Sequence, residues 1–168
     1  MEKNTVRKIL HSGMSIPRIV RPVIRMLYDL GVLIYEGSIL ARKLIFVEPV
    51  FRSIAVSVGR GLRIERLPYI RGRGRIFVGS DVYISGKIGI GFSSHASVLP
   101  ELSIGDHTFI GHQCSFSLAK RITIGNDCLL GHDVSIQDND GHPLNAGLRH
   151  SGEAVKTEDV QEVVVENG

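Results

Sequence analysis

The chain has 168 residues, 43% of them hydrophobic and none Trp, and its 20 Lys and Arg against 17 Asp and Glu give a formal charge of +3. That length calls for one domain with room for a real core, and the apolar content is ordinary. A transmembrane helix needs roughly 20 apolar residues in a row, and Arg25, Asp29, Glu36, Arg42 and Lys43 interrupt the most apolar stretch well short of that. The opening Met1-Glu2-Lys3-Asn4 has no apolar run behind it of the kind a secretory leader carries, so a cytoplasmic location is expected.

Charge is unevenly spread. Residues 1–75 hold 15 basic and 5 acidic side chains, a net of +10, whereas residues 76–168 hold 5 and 12, a net of −7. In the basic part Ile16, Ile19, Val20, Val23, Ile24, Leu27, Leu30 and Ile34 recur at helical spacing, with Arg18, Arg21 and Arg25 on the other side. Pro22 would break an interior helix bond, so one amphipathic helix is expected from about Pro22 to Tyr35. A second is expected from about Ser38 to Val56, kinked at Glu48-Pro49. Residues 1–57 thus form a basic amphipathic segment. It reads as a cap on the domain that follows, or as a surface for the inner face of an anionic membrane.

Arg71-Gly72-Arg73-Gly74-Arg75 has the alternation of some RNA-binding segments but none of the interleaved aromatics such segments use for stacking. A turn with solvated charges is the expectation, and nucleic acid is not an expected partner.

From there a six-residue register takes over. Its leaders are Val78, Ile84, Ile90, Val98, Ile104, Ile110, Phe116, Ile124, Leu130 and Ile136, in steps of six apart from two steps of eight. Gly follows six of these ten leaders, and eight of the ten residues four places after a leader are small or aliphatic. Such a repeat predicts a parallel β-helix over residues 58–168, each hexad a short strand and a corner with the leader pointing inward. Three hexads close one coil. Counting assigns Val78, Val98, Phe116 and Ile136 to one face, Ile84, Ile104 and Ile124 to the second, and Ile90, Ile110 and Leu130 to the third. Lys120 and Asp140 break the rule for the fifth position, and both fall, with the insertion before Ile124, at the corner between the first two faces. Chain is expected to project there.

Cys114 and Cys128 occupy interior slots and are expected to be buried thiols. His112 and His132 each sit two after a third-face leader, so they are expected to stack one coil apart on the outside.

The register resembles that of the hexapeptide-repeat acyltransferases, whose fold is a left-handed parallel β-helix. The stretch Ile136-Gln137-Asp138-Asn139-Asp140-Gly141-His142-Pro143-Leu144 looks like the start of the long loop that carries the catalytic His in the maltose, galactoside and glycan O-acetyltransferases. Register resumes at Val165-Glu166-Asn167-Gly168, so residues 137–160 are expected to be an excursion from the marked corner. Loops that long in compact domains are usually functional or disordered.

The resemblance implies an O-acetyltransferase that uses acetyl-CoA as acyl donor, a sugar or glycan-biosynthesis intermediate as acceptor, and no metal. His142 would be the general base, its pKa range suiting proton transfer near neutrality. Asp138 or Asp140 would orient the imidazole or bind acceptor hydroxyls, and Gln113, Ser115 and Ser117 stand where the family often has an acceptor-binding Asn or Asp. The family also implies a homotrimer with active sites between neighbouring β-helices. Its members continue with further coils that supply most of the coenzyme A groove. Those coils are expected to be missing here, which leaves the cofactor-binding residues unknown and keeps a truncated, non-catalytic β-helix as the alternative. The γ-class carbonic anhydrases share the fold, but the positions five after His112 and His132 are Ser117 and Gln137, not the second His of their zinc pattern.

Overall fold

A computed structural model describes residues 16–94, 96, 98–153 and 159–168, so residues 154–158 of the expected excursion lie outside the described residues. The chain divides into two compact units, one ending at Ala41 and the other running from Arg42 to Gly168. The first holds most of helix α1, Arg21–Arg42, in which no residue is buried. Pro22 stands in its first turn, where a missing N–H costs nothing. The break expected between Tyr35 and Ser38 does not occur. Gly37 costs only about 1 kcal/mol in a helix interior, and the Ser38 hydroxyl donates back to the Tyr35 carbonyl at 2.7 Å.

The second unit opens with a π-helical turn, Lys43–Val47, in which the Glu48 amide donates to the Lys43 carbonyl. The wider turn sits directly before Pro49, whose nitrogen has no hydrogen to give, and it replaces the expected simple kink. Helix α2, Glu48–Ile54, follows. Val47 and Phe51 are buried in one cluster with Leu62 and Ile64, and Arg52 donates to the Val58 and Gly59 carbonyls. The two compact units thus part between Ala41 and Arg42, and Val47 and Phe51 belong to the core of the second.

Thirteen short strands follow among the described residues. They are β1 (Ser57–Val58), β2 (Arg63–Ile64), β3 (Tyr69–Arg71), β4 (Arg75–Val78), β5 (Tyr83–Ile84), β6 (Gly89–Phe92), β7 (Glu101–Ile104), β8 (Phe109–Ile110), β9 (Ser115–Leu118), β10 (Arg121–Ile124), β11 (Leu129–Leu130), β12 (Ser135–Gln137) and β13 (Val163–Val165). Every third strand pairs in parallel, giving three sheets in the orders β1-β4-β7-β10-β13, β11-β8-β5-β2 and β12-β9-β6-β3. This is the connectivity of a parallel β-helix. Each leader stacks on its counterpart: Val58, Val78, Ile104, Ile124 and Val165 in the first sheet; Ile64, Ile84, Ile110 and Leu130 in the second; Ile70, Ile90, Phe116 and Ile136 in the third. Cys114 and Cys128 fill interior slots as free, buried thiols, and burial pushes the Cys114 pKa up.

One expectation needs correcting. Val98 is not a leader; it is 53% exposed, in the connection between Phe92 and Glu101. Counting it as a hexad shifted Val78, Ile84 and Ile90 by one face, while the assignments from Ile104 onward stand.

The turns that follow leaders of the first and second sheets are tight. Asp81, His107, Gln113, Asp127 and Asp133 take them with positive φ, between 56° and 62°. Short polar side chains tolerate this left-handed conformation better than bulky ones. Beside it, Asp106, Asn126 and Asn167 form a ladder: each accepts a backbone N–H from the coil before, at 2.6 to 2.8 Å.

Candidate active site

Two of the three corners are plain. Leader to leader, Val58 to Ile64 to Ile70 takes six residues per step, as do the matching steps from Val78, Ile104 and Ile124. The corner from the third sheet back to the first is longer in every coil. Ile70 to Val78 is 8 residues, Ile90 to Ile104 is 14, Phe116 to Ile124 is 8, and Ile136 to Val165 is 29. Strands on either side keep their partners, so the spare chain can only project outward. The insertions stack on one edge of the coil.

Charge pins that edge. Arg75, Glu101, Arg121 and Glu162 each stand three residues before a first-sheet leader and alternate in sign along the column. Glu101 pairs with Arg75 at 2.9 Å and Arg121 at 3.6 Å, and Glu162 pairs with Arg121 at 3.6 Å and Lys120 at 3.2 Å. Half-exposed pairs stabilise little individually, but the alternation specifies which strand follows which. Between the stacked insertions lies a cleft of about 600 Å³, lined among others by Arg71, Phe92, Ser94, Lys120, Asn139 and Glu153.

The longest insertion is tied down at its root. Asp138 is 4% exposed. Its carboxylate accepts the Ala119 amide at 2.6 Å, the Lys120 amide at 2.7 Å and the Asn139 side-chain amide at 2.8 Å. The Asn139 side-chain oxygen Oδ1 then accepts the Gly141 amide at 2.9 Å, and Gly141 turns with φ +73°. That Asx turn presents His142. Behind it the loop closes on a short helix α3, Ala146–His150, capped by Asn145, whose side chain accepts the Gly147 and Leu148 amides. Arg149 donates to the Leu144 carbonyl at 2.5 Å and the Pro143 carbonyl at 3.2 Å.

His142 lines a second cleft, of about 740 Å³, with Asp138, Asp140, Gln137, Gln161 and Ser135 among its walls. Its imidazole is exposed and makes no hydrogen bond or ion pair with a described residue. The same holds for Asp140. Asp138, expected to orient the imidazole or bind an acceptor, spends its carboxylate on the corner of the coil before. Gln113 lines neither cleft. It holds the left-handed turn position between the second and third sheets and donates from Nε2 to Asp133 at 2.9 Å. Of His142, Asp138, Asp140 and Gln113, the structure gathers the first three at one cleft and places Gln113 at another corner.

His112 and His132 stack as their spacing predicts, with ring centroids 3.7 Å apart. The His112 amide donates to His132 Nδ1 at 3.2 Å, so His132 plays in this column the part the Asn residues play in theirs. Among the described residues no three His, Cys, Asp or Glu converge to hold a metal ion.

No protein-family model, curated protein or solved structure matches the chain. Sequence reasoning passed over Asn139, Asn145 and Arg149, which shape the loop around His142. Asn-x-Gly is an Asx-turn signature, and an Asn two residues before Gly147 is a helix-cap signature, so both signals were present.

Proposed function

We propose that the chain is the acyltransferase its repeats and its Asp-Gly-His-Pro turn resemble, an acetyl-CoA-dependent O-acetyltransferase on a left-handed β-helix that modifies a sugar or glycan-biosynthesis intermediate. The observation that carries this reading is His142, exposed at a cleft on a braced turn of the longest insertion, at the one corner where every coil carries spare chain. In the reaction the acceptor hydroxyl oxygen bonds to the thioester carbonyl carbon while His142 takes the hydroxyl proton. The carbon–sulfur bond then breaks, and the proton passes to the departing thiolate. Backbone N–H groups are the usual donors to the intervening oxyanion. Asp140, with no partner among the described residues, is the residue available to the imidazole or to acceptor hydroxyls. The resemblance adds a homotrimer in which neighbouring β-helices share the groove.

Acetyl-CoA consumption with a panel of sugar acceptors tests the proposal, comparing wild type with His142→Ala. Loss of general-base catalysis lowers the rate by about a hundredfold or more, with unchanged circular dichroism; equal rates sink the assignment. A second reading, a non-catalytic β-helical scaffold, draws on the imidazole's lack of an orienting partner among the described residues. Calorimetric titration with coenzyme A separates the two: a scaffold shows no binding.

A further inference from the structure

Helix α1 has no buried residue along its 22-residue length, and its sides are very unequal. At roughly 100° per residue, all five charged side chains, Arg21, Arg25, Asp29, Glu36 and Arg42, fall within about 140° of the circumference. Ile24, Leu27, Leu30, Leu33, Ile34 and Leu40 spread over most of the rest, each at least 44% exposed. That breadth decides what can cover it. A packed protein neighbour covers a stripe somewhat over 100° wide, and a coiled-coil seam is narrower still. Lipid surrounds a helix on every side its polar stripe leaves free. No helix among the described residues is long and apolar enough to cross a membrane, and Arg25, Asp29 and Glu36 stand mid-helix, so a helix lying in the interface remains. The sign of the charge selects the lipid. Arg18, Arg21 and Arg25 cluster at the helix start, and residues 1–75 carry 15 basic against 5 acidic side chains. From this we infer that α1 embeds in an anionic bilayer surface, its broad apolar arc among acyl chains and its Arg side chains among headgroup phosphates. The inference is independent of acyl transfer.

Co-sedimentation of the full chain with vesicles tests it, using phosphatidylcholine alone and an equimolar mixture with phosphatidylglycerol. Wild type binds the mixed vesicles much more tightly, and the preference shrinks in high salt. Leu27→Glu with Ile34→Glu, both in the middle of the arc and more than half exposed, lowers binding at least tenfold without loss of circular dichroism. Ile39→Glu adds the same kind of charge in line with Arg21 and has a much smaller effect. Neutralising Arg18, Arg21 and Arg25 to Gln weakens binding to the mixed vesicles about a hundredfold, at roughly fivefold for each basic residue near an anionic surface. Undiminished binding by the double Glu variant overturns the inference. So does a wild-type chain that ignores vesicles but forms oligomers the double variant dissociates, which assigns the arc to a second copy.

Discussion

Replacing Asp138 with Ala removes the side chain that fastens the excursion to the coil beneath it. Its carboxylate accepts three donors, the Ala119 and Lys120 amides and the Asn139 side chain, all within 2.8 Å. Asp138 and Ala119 are both buried, at 4% and 8% exposure, so water does not readily replace the lost oxygens. A buried donor left without a partner costs about 1–3 kcal/mol, toward the upper end when the partner was charged. The Ala119 amide bears that cost in full and the Lys120 amide in part, which sets the loss at about 3–4 kcal/mol. Asp138→Asn keeps one acceptor oxygen and loses roughly half as much. Against a typical total stability of about 5–15 kcal/mol, either shift is readily measured. Urea unfolding followed by far-ultraviolet circular dichroism gives the magnitude, and hydrogen exchange at the Ala119 and Lys120 amides gives the location. If Asp138→Ala stays within about 1 kcal/mol of wild type and the Ala119 amide stays protected, the carboxylate does not hold this corner and the account of the loop root is wrong.

Two further outcomes follow from the same geometry. Deleting residues 140–159 spares Asp138 and the Val163–Val165 strand, and Pro143 is the one buried residue among those described from Asp140 to Glu153; the shortened chain is expected to keep its β circular dichroism and lose acyl transfer, whereas unfolding on deletion makes the excursion part of the core. The Glu65 carboxyl is held below its ordinary 4.5 by the Tyr83 hydroxyl, with help from the Gly86 amide at 2.7 Å, and the same bond raises Tyr83 above its ordinary 10.0. A lowered acid stabilises above its unfolded pKa and a raised phenol stabilises below its own, so the pair contributes between these values and fades at both ends. The thermal-midpoint advantage of wild type over Tyr83→Phe should therefore shrink as pH falls below about 4.5 and as it rises above about 10; a constant difference across both windows refutes the pairing.

The coil is legible in the sequence because its cause is local and repeated. An aliphatic leader must face inward in every hexad, and six-residue steps bring leaders into register wherever no chain is inserted. The same reasoning places Cys114 and Cys128 inside and stacks His112 on His132, since one coil separates each turn from its copy. It also singles out the corner from which the excursion leaves. What the sequence could not decide was whether an eight-residue step is a stretched hexad or an inserted loop. Val98 has the right side chain for a leader, and only the pairing of Val78 with Ile104 shows that it stands outside the coil. Asp138 and Gln113 make the same point for the site. Both are polar residues near suggestive motifs, and their chemistry alone suits them to an acceptor. Tertiary structure assigned one to the Ala119 and Lys120 amides and the other to a left-handed turn and Asp133, because a hydrogen-bond partner eighteen to twenty residues away is fixed by how coils stack and leaves no trace in the hexad itself.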